Sequence, residues 1–297
     1  MKYVVVIGGA NVDMIGTPFT SLSYKNSSPG SVRISHGGVG RNIAENLARM
    51  GVNVKLITAF GGDNYGKELK DHLMEVGVDI SYSLTKNDTN TSLYLCLNDK
   101  NGEMQYALSA MEILKSMDEK FFEKRLEVIN KAKLVVLDVN LLDTLKYLIP
   151  KITAPICVDT VSKEKVKLTK KYLNNLFFLK PNKEEAEELL DISINTTEDV
   201  EYAIDLLTKS GHKNVIITLG KLGSYYSNGK ISGYYPAREI DIAGTTGAGD
   251  SYFAGAVSAL FDDMDIKECA RRGSIASSIT VMDNDNVSKK INKEIFS

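Results

Sequence analysis

The stretch "MKYVVVIGGANVD", Met1–Asp13, frames the reading of the fold. Its apolar run is continuous rather than alternating, as in a strand buried on both faces. It ends in two glycines, then Asn11 and Asp13, just past the strand's C-terminal end, where ligands bind in open α/β sheets. Five further runs share its character: "NVKLITAF" (53–60), "KLVVLDV" (133–139), "PICVD" (155–159), "LFFLKP" (176–181) and "NVIITLG" (214–220). Amphipathic stretches at Arg41–Met50, Tyr65–Val76, Lys120–Lys131 and Val200–Ser210 separate them. Alternating β and α elements predict a mostly parallel sheet covered by helices on both sides. "SYYSNGKISGYYPA" (224–237) breaks the rhythm, and its "NGK" reads as a hairpin turn at a sheet edge.

Two segments do not fit that sheet. Met14–His36 contains alternating pieces such as "SVRIS", and "NTSLYLCLNDKNGEMQYAL" (90–108) reads as two strands around a turn. Together they predict a small β-sheet lid, with segments at about 14–36 and 90–110, beside one 1–297 domain. Lids of this kind exclude water from a cleft.

Composition narrows the function. The chain has 297 residues, 43% of them hydrophobic, and a formal net charge of −2, which offers no nucleic-acid footprint. It has no apolar run of membrane-spanning length. Cys96, Cys157 and Cys269 lie far apart, which fits a reduced cytoplasmic protein without a zinc site. His36, His72 and His212 read as solvent-facing or hydrogen-bonded side chains rather than metal ligands. "GGDNYGKE" (61–68) nearly spells a phosphate-binding loop, but Glu68 stands where a hydroxyl should meet Mg²⁺, so it reads as a substrate-side turn. "DNDNVSKKINKE" (283–294) lacks the glycine of a calcium loop.

The chemistry concentrates in "GTTGAGDSYFAGA", Gly244–Ala256. Gly247, Ala248 and Gly249 are small enough to bring backbone N–H groups close to a ligand at the start of a helix, where the dipole favours an anion. Asp250 would repel a phosphate, so it suits a proton acceptor beside one; a plain glycine turn with an acid in the helix's first turn is the competing reading. Three more stretches stand out: "HGGVGRNIAENLA" (36–48), with Gly38 and Asn42 at a helix start; "LKPNKEEAEEL" (179–189), with Asn182 three residues before Glu185; and "ITLGKLGSYY" (217–226), with Thr218, Gly220 and Gly223 at a turn. Asn182 and Glu185 alone fit a capping box, worth about 1 kcal/mol without any function.

The combination resembles the ribokinase-type (PfkB) sugar kinases over essentially the whole chain. "GGVGRN" resembles that family's sugar-side signature, "TTGAGD" its catalytic one, "NKEE" its metal and phosphate motif and "TLGKLG" its nucleotide turn. Within the family, "ANVDM", "SPGSVRISHGGVGRNIAENLA", "NTSLYL", "NGEM", "VDTVS" and "LKPN" are similar to the branch that phosphorylates pseudouridine. The resemblance implies a three-layer ribokinase-like fold, ATP and Mg²⁺ as cofactors and a nucleoside or sugar as acceptor. It implies Asp250 as general base, with Gly247, Ala248 and Gly249 as the anion hole. Asn11, Asp13, Gly38, Asn42, Thr91 and Asn140 would face the acceptor; Asn182, Thr218, Gly220 and Gly223 would face ATP, and Glu185 would hold Mg²⁺ through water. Homodimerisation through the lid is left open. Ribose, another nucleoside or a ketose are acceptors of the same class, and a non-catalytic sugar-binding regulator is the reading from a different class.

Two departures matter. Many relatives begin the catalytic signature with Asp, where this chain has Gly244, so potassium activation is not expected. Ala110 precedes Met111 where pseudouridine-type relatives tend to carry Asp, so base contacts should differ. Leu93, Leu95 and Met111 are the lid residues expected against a flat base. Arg33 and Arg41 are the only arginines near the lid and sugar loop, too few for a phosphorylated sugar if Arg41 points away.

Overall fold

The computed structural model describes all residues except 162–164, 167–169, 171–173 and 175, so Ser162, which closes the "VDTVS" stretch, lies outside the described residues. Fourteen strands are described: β1 Val4–Ile7, β2 Asn11–Pro18, β3 Gly30–Gly37, β4 Val54–Ile57, β5 Ala59–Gly61, β6 Leu84–Lys86, β7 Leu93–Asn98, β8 Met104–Ala110, β9 Leu134–Asp138, β10 Ile156–Asp159, β11 Phe178–Lys180, β12 Val215–Thr218, β13 Ser224–Ser227 and β14 Ser232–Tyr235. The larger sheet runs β14-β13-β12-β11-β10-β9-β1-β4. Its strands pair in parallel from β4 to β12, and the β13–β14 hairpin closes one edge antiparallel, as the "NGK" turn predicts.

Successive strand residues point to opposite faces, and the core divides accordingly. Val4 and Val6 pack on one side with α1 (Val39–Arg49) through Ile43 and Leu47. Val5 and Ile7 pack on the other with Phe122, Ile129, Leu189 and Leu207. Four more helices frame the site: α2 Asn64–Glu75, α3 Lys183–Leu190, α4 Thr197–Lys209 and α5 Ala248–Phe261, followed by α6 Ile266–Val281. Phe253 of α5 stacks on Phe178 of β11 with ring centroids 5.3 Å apart, which fixes α5 against the middle of the sheet.

The helix expected over Lys120–Lys131 is two short ones, Glu119–Glu123 and Leu126–Asn130. Arg125 lies between them with its guanidinium over the Phe121 ring and its Nε donating to the Tyr82 carbonyl at 2.5 Å. A tertiary partner for Arg125 outweighs helix propensity at that joint.

The lid is a four-stranded sheet in the order β3-β2-β7-β8. Its first strand starts at Asn11, so Asn11 and Asp13 are residues of this sheet. Directly paired residues share a face. Asp13 pairs with Ser35 and Tyr94, and Tyr94 with Ser109; Met14 pairs with Ile34 and Leu95, and Leu95 with Leu108. Tyr94 therefore lies on the Asp13 face and Leu95 on the opposite one.

Candidate active site

The site residues gather at the C-terminal ends of the central strands. The turn after β1 meets the start of α1, where Gly38 has φ 98° and a Cβ there would sit 2.5 Å from the Gly9 carbonyl oxygen. Only glycine fits so close and so positive a turn. It places Asn42 in the first turn of α1, whose Nδ2 donates to Asp250 Oδ2 at 2.7 Å across 208 residues of sequence.

Asp250 occupies the first turn of α5, which Gly247 opens in the left-handed conformation at φ 79°. A Cβ on Gly247 would lie 2.0 Å from the Asn286 carbonyl oxygen. Ala248 donates to the Thr245 carbonyl at 3.3 Å, a long bond that a phosphate oxygen could replace. Burial pushes the Asp250 carboxyl up to about 7, with Asp159 and Asp138 adding to the rise and Asn42 and Lys180 opposing it.

Beside Asp250 lies a buried ion pair, Lys180 Nζ to Asp159 Oδ1 at 2.8 Å, with both side chains under a tenth exposed. The Lys180 ammonium is 4.0 Å from the position a Gly249 Cβ would take, so it adds a fixed positive charge beside the glycine turn. Burial also raises Asp159, to about 6, against the pull of Lys180. Neither residue was expected in the site. The signal is present, since each is a charge ending an otherwise apolar strand, where only a paired charge is tolerated.

On the lid side, Asp13 accepts from Asn11 Nδ2 at 2.6 Å and from Asn286 Nδ2 at 2.9 Å. Burial raises its carboxyl, opposed by Asn286 and Asn11. Asn286 comes from the segment after α6, and its Nδ2 also reaches the His36 carbonyl at 3.0 Å. No motif marks it; only the return of the chain brings it there. Arg33 reaches the neighbouring Asn284 carbonyl at 2.6 Å. Arg41 is buried between α1 and the lid, its guanidinium donating to Glu45 Oε2 and to the His36 carbonyl of β3, each at 2.6 Å.

Several expected residues sit differently. The Thr91 hydroxyl is committed to Asp63 Oδ1 at 2.5 Å and accepts from the Gly61 N–H at 3.1 Å. Thr91 is thus a buried brace for the turn ahead of α2, not a group presented to the acceptor. That arrangement explains "GGDNYGKE": Asp63 caps α2 by accepting from the Gly66 N–H at 2.9 Å. Glu68 instead meets His36 at 3.3 Å. Leu93 packs into the core beside α1, Leu95 is 46% exposed on the outer lid face, and Met111 packs against the core on the other side of the sheet. Tyr94, by contrast, lies on the Asp13 face. Asn140 is exposed at the end of β9, its Nδ2 donating to Asp138 Oδ1 at 2.9 Å.

Asn182 and Glu185 form the full capping box of α3: Asn182 accepts from the Glu185 N–H at 2.8 Å, and Glu185 Oε2 accepts from the Asn182 N–H at 2.9 Å. Asn182 also bridges to Thr218, so α3 begins beside the end of β12. Asn182, Thr218, Gly220, Leu222, Tyr225 and Tyr234 border a cavity of about 670 Å³. Gly223 lies behind it, at φ 85°, under the Tyr235 carbonyl.

This mostly parallel sheet between helical layers, with a β lid over the strand ends, is the ribokinase-like fold. The chain belongs to the pfkB family of carbohydrate kinases, whose model matches residues 1–288. It is 36% identical to the pseudouridine kinase of Escherichia coli K12 over 282 residues, 94% of this chain and 90% of that one. It is 27% identical to the guanosine-inosine kinase of Exiguobacterium acetylicum over 292 residues, 96% of each chain. The fold matches that of Arabidopsis thaliana ribokinase complexed with ribose and ATP with a TM-score of 0.81, at 20% identity over 100% of this chain and 99% of that one.

Proposed function

We propose that this chain, acting as one kinase domain with a lid, transfers the γ-phosphoryl group of ATP to the 5′-hydroxyl of a nucleoside, with pseudouridine as the leading acceptor. The observation that carries this reading is Asp250: a carboxyl raised to about 7, in the first turn behind Gly247 and aimed by Asn42. The likeness to the Escherichia coli pseudouridine kinase supports the acceptor. Asp250 takes the proton of the 5′-hydroxyl as that oxygen attacks. The N–H groups of Gly247, Ala248 and Gly249 and the Lys180 ammonium stabilise the charge on the transferring group, the main work in phosphoryl transfer. Asp13 holds the ribose hydroxyls, and Thr218 and Gly220 lie along ATP.

Mg²⁺ keeps most of its waters and takes one or two carboxylates plus substrate phosphates. Glu185 fits that pattern: it is 3% exposed, and both bonds that orient it, from the Asn182 N–H and the Thr160 hydroxyl, fall on Oε2. Oε1 is the oxygen that would meet the waters of Mg²⁺, whose chemistry here is to neutralise phosphate charge.

The outer lid face carries Val32, Ile34, Leu95, Leu97, Tyr106 and Leu108, from 37% to 73% exposed. So contiguous an apolar surface suits a second copy of the chain, and we read it as a homodimer contact. Three free, buried cysteines accord with a cytoplasmic setting.

A coupled ATP-consumption assay over pseudouridine, uridine, ribose and fructose 6-phosphate tests the acceptor. Pseudouridine should give the highest kcat/KM; a better turnover of ribose would keep the kinase and end the nucleoside reading. Asp13→Ala should raise the acceptor KM by about 10- to 100-fold, the worth of a charged hydrogen bond, with the ATP KM nearly unchanged. Equal losses in both would place Asp13 in the wrong pocket. Tyr94→Leu should cost about 1–3 kcal/mol of nucleoside binding through lost base stacking and leave ribose unaffected. Equal effects on pseudouridine and ribose would remove Tyr94 from base recognition.

A further inference from the structure

We propose that Arg41 is a positioning residue: its guanidinium fixes the orientation of the Asn42 amide, so that Asn42 presents its NH₂ to Asp250, and ties that amide to the base of the lid. The inference rests on the general-base reading of Asp250. Arg41 is 3% exposed, on the face of α1 turned from solvent. Its Nη1 donates to Glu45 Oε2 at 2.6 Å. Its Nη2 donates both to the His36 carbonyl at 2.6 Å and to Asn42 Oδ1. Its Nε reaches the Gly37 carbonyl at 3.4 Å. One planar fork thus serves four acceptors, two of them the carbonyls that close lid strand β3.

The two ends of an Asn amide are nearly alike in shape, so their neighbours decide which way it lies. A guanidinium can only donate, so the Asn42 atom beside it is Oδ1. Nδ2 then faces Asp250 Oδ2, at 2.7 Å. A reversed amide would set oxygen against carboxylate oxygen, a contact Asp250 can accept only by keeping its proton. The charged groups facing Asp250 are Asp138 from β9, Asp159 from β10 and Lys180 from β11, with Arg41 behind Asn42 on α1. Two of these are like charges that favour the proton, and Asn42 opposes them. Arg41 therefore acts on the base through the amide it holds.

The lid shares the connection. The His36 carbonyl that accepts from Arg41 also accepts from Asn286 Nδ2, at 3.0 Å, and the same Nδ2 holds Asp13. Arg41 and Asn286 meet at one lid carbonyl; from it Asn286 also donates to Asp13, and Arg41 donates to the Asn42 amide that faces Asp250. A lysine could keep the charge near Glu45, but its single ammonium lacks the fork needed for Glu45, Asn42 and β3 together. Glu45 would not be stranded, because Arg49 Nη2 and His72 Nε2 also reach it, at 2.7 and 3.0 Å.

The test is the pH profile of kcat and kcat/KM for Arg41→Lys and Arg41→Gln, with pseudouridine and ATP, beside thermal melting. The expected result is folded protein whose acid limb has moved up by about half a pH unit or more, as expected when a hydrogen bond to the charged form is lost. The same variants should lose about 10- to 100-fold in kcat, with the ATP KM within about twofold of wild type. Folded variants with an unmoved limb and wild-type kcat overturn the proposal. So does failure of both to fold, which would make Arg41 structural. A wild-type chain with no kinase activity, or with no acid limb, instead overturns the general-base reading itself.

Discussion

Asp250→Asn is expected to lower turnover by about 10²–10⁴-fold, the usual worth of a positioned general base, while acceptor and ATP affinities persist. The substitution keeps the shape of the side chain and removes only its capacity to take a proton. It should not harm the fold, because the carboxylate it removes stands near two others, Asp159 and Asp138, and is held up at about 7 by burial. In the wild type the same value sets the sign of the pH dependence. Above about 7 the carboxylate is free to accept the hydroxyl proton; below it the proton is already in place. The kcat/KM profile of the free enzyme should therefore fall about tenfold per pH unit on the acid side of that value. Steady-state kinetics across pH 5 to 9 at fixed ionic strength checks both. A variant keeping more than a tenth of wild-type turnover, or a wild-type limb near the ordinary carboxylate range, would take Asp250 out of the role.

Gly247→Ala is expected to lower kcat/KM by about 10²–10³-fold, comparable to losing a preorganised donor for the transition state. The reason is a single atom. The new Cβ would stand 2.0 Å from the Asn286 carbonyl oxygen, and the residue is already at φ 79°, where L side chains are strained. Either the glycine turn or the 284–288 segment must move. Movement of the first disperses the N–H groups proposed to face the transferring phosphate. Movement of the second drags Asn286, whose Nδ2 holds Asp13 at 2.9 Å and the His36 carbonyl at 3.0 Å. The loss should therefore appear in kcat and in the acceptor KM together, unlike that of Asp250→Asn. Gly244→Ala is the control: a Cβ there meets only the Asp283 carbonyl oxygen, at 3.5 Å, an ordinary contact. It should stay within about twofold of wild type, as substitutions clear of packing and strain do. Equal activities for the two glycine variants would mean that the close approach of Gly247 to Asn286 is not needed for function.

Some of this was readable along the chain. Continuous apolar runs such as "YVVVI" and "KLVVLD" announce strands buried on both faces, because burial on two sides removes the polar alternation. The Gly247–Gly249 turn that opens α5 and the Gly38 turn ahead of α1 are local: their chemistry lies in the residues themselves and in the helices they start. Asn182 with Glu185 was legible as a cap, and it is one; only its neighbour Thr218, brought alongside by strand pairing, sets it beside the 217–226 turn.

What tertiary structure alone decided concerns facing and return. Leu95 and Tyr94 are adjacent in sequence, yet a strand sends neighbours to opposite faces, and the pairing of Asp13 with Tyr94 decides which one shares the face of Asp13. Thr91 carries a hydroxyl that suits a sugar, but Asp63 takes it from 28 residues away. Lys180 and Asp159 end separate strands and become one ion pair only because β10 and β11 lie side by side. Arg41 turns inward because Glu45, Asn42 and the end of β3 offer it four acceptors at once, and Asn286 joins the site from the far end of the chain. Local sequence carries turn chemistry and hydrophobic period, which depend on neighbours a few residues away. Register and charge pairing depend on strands meeting across the sheet, and no short window contains both partners.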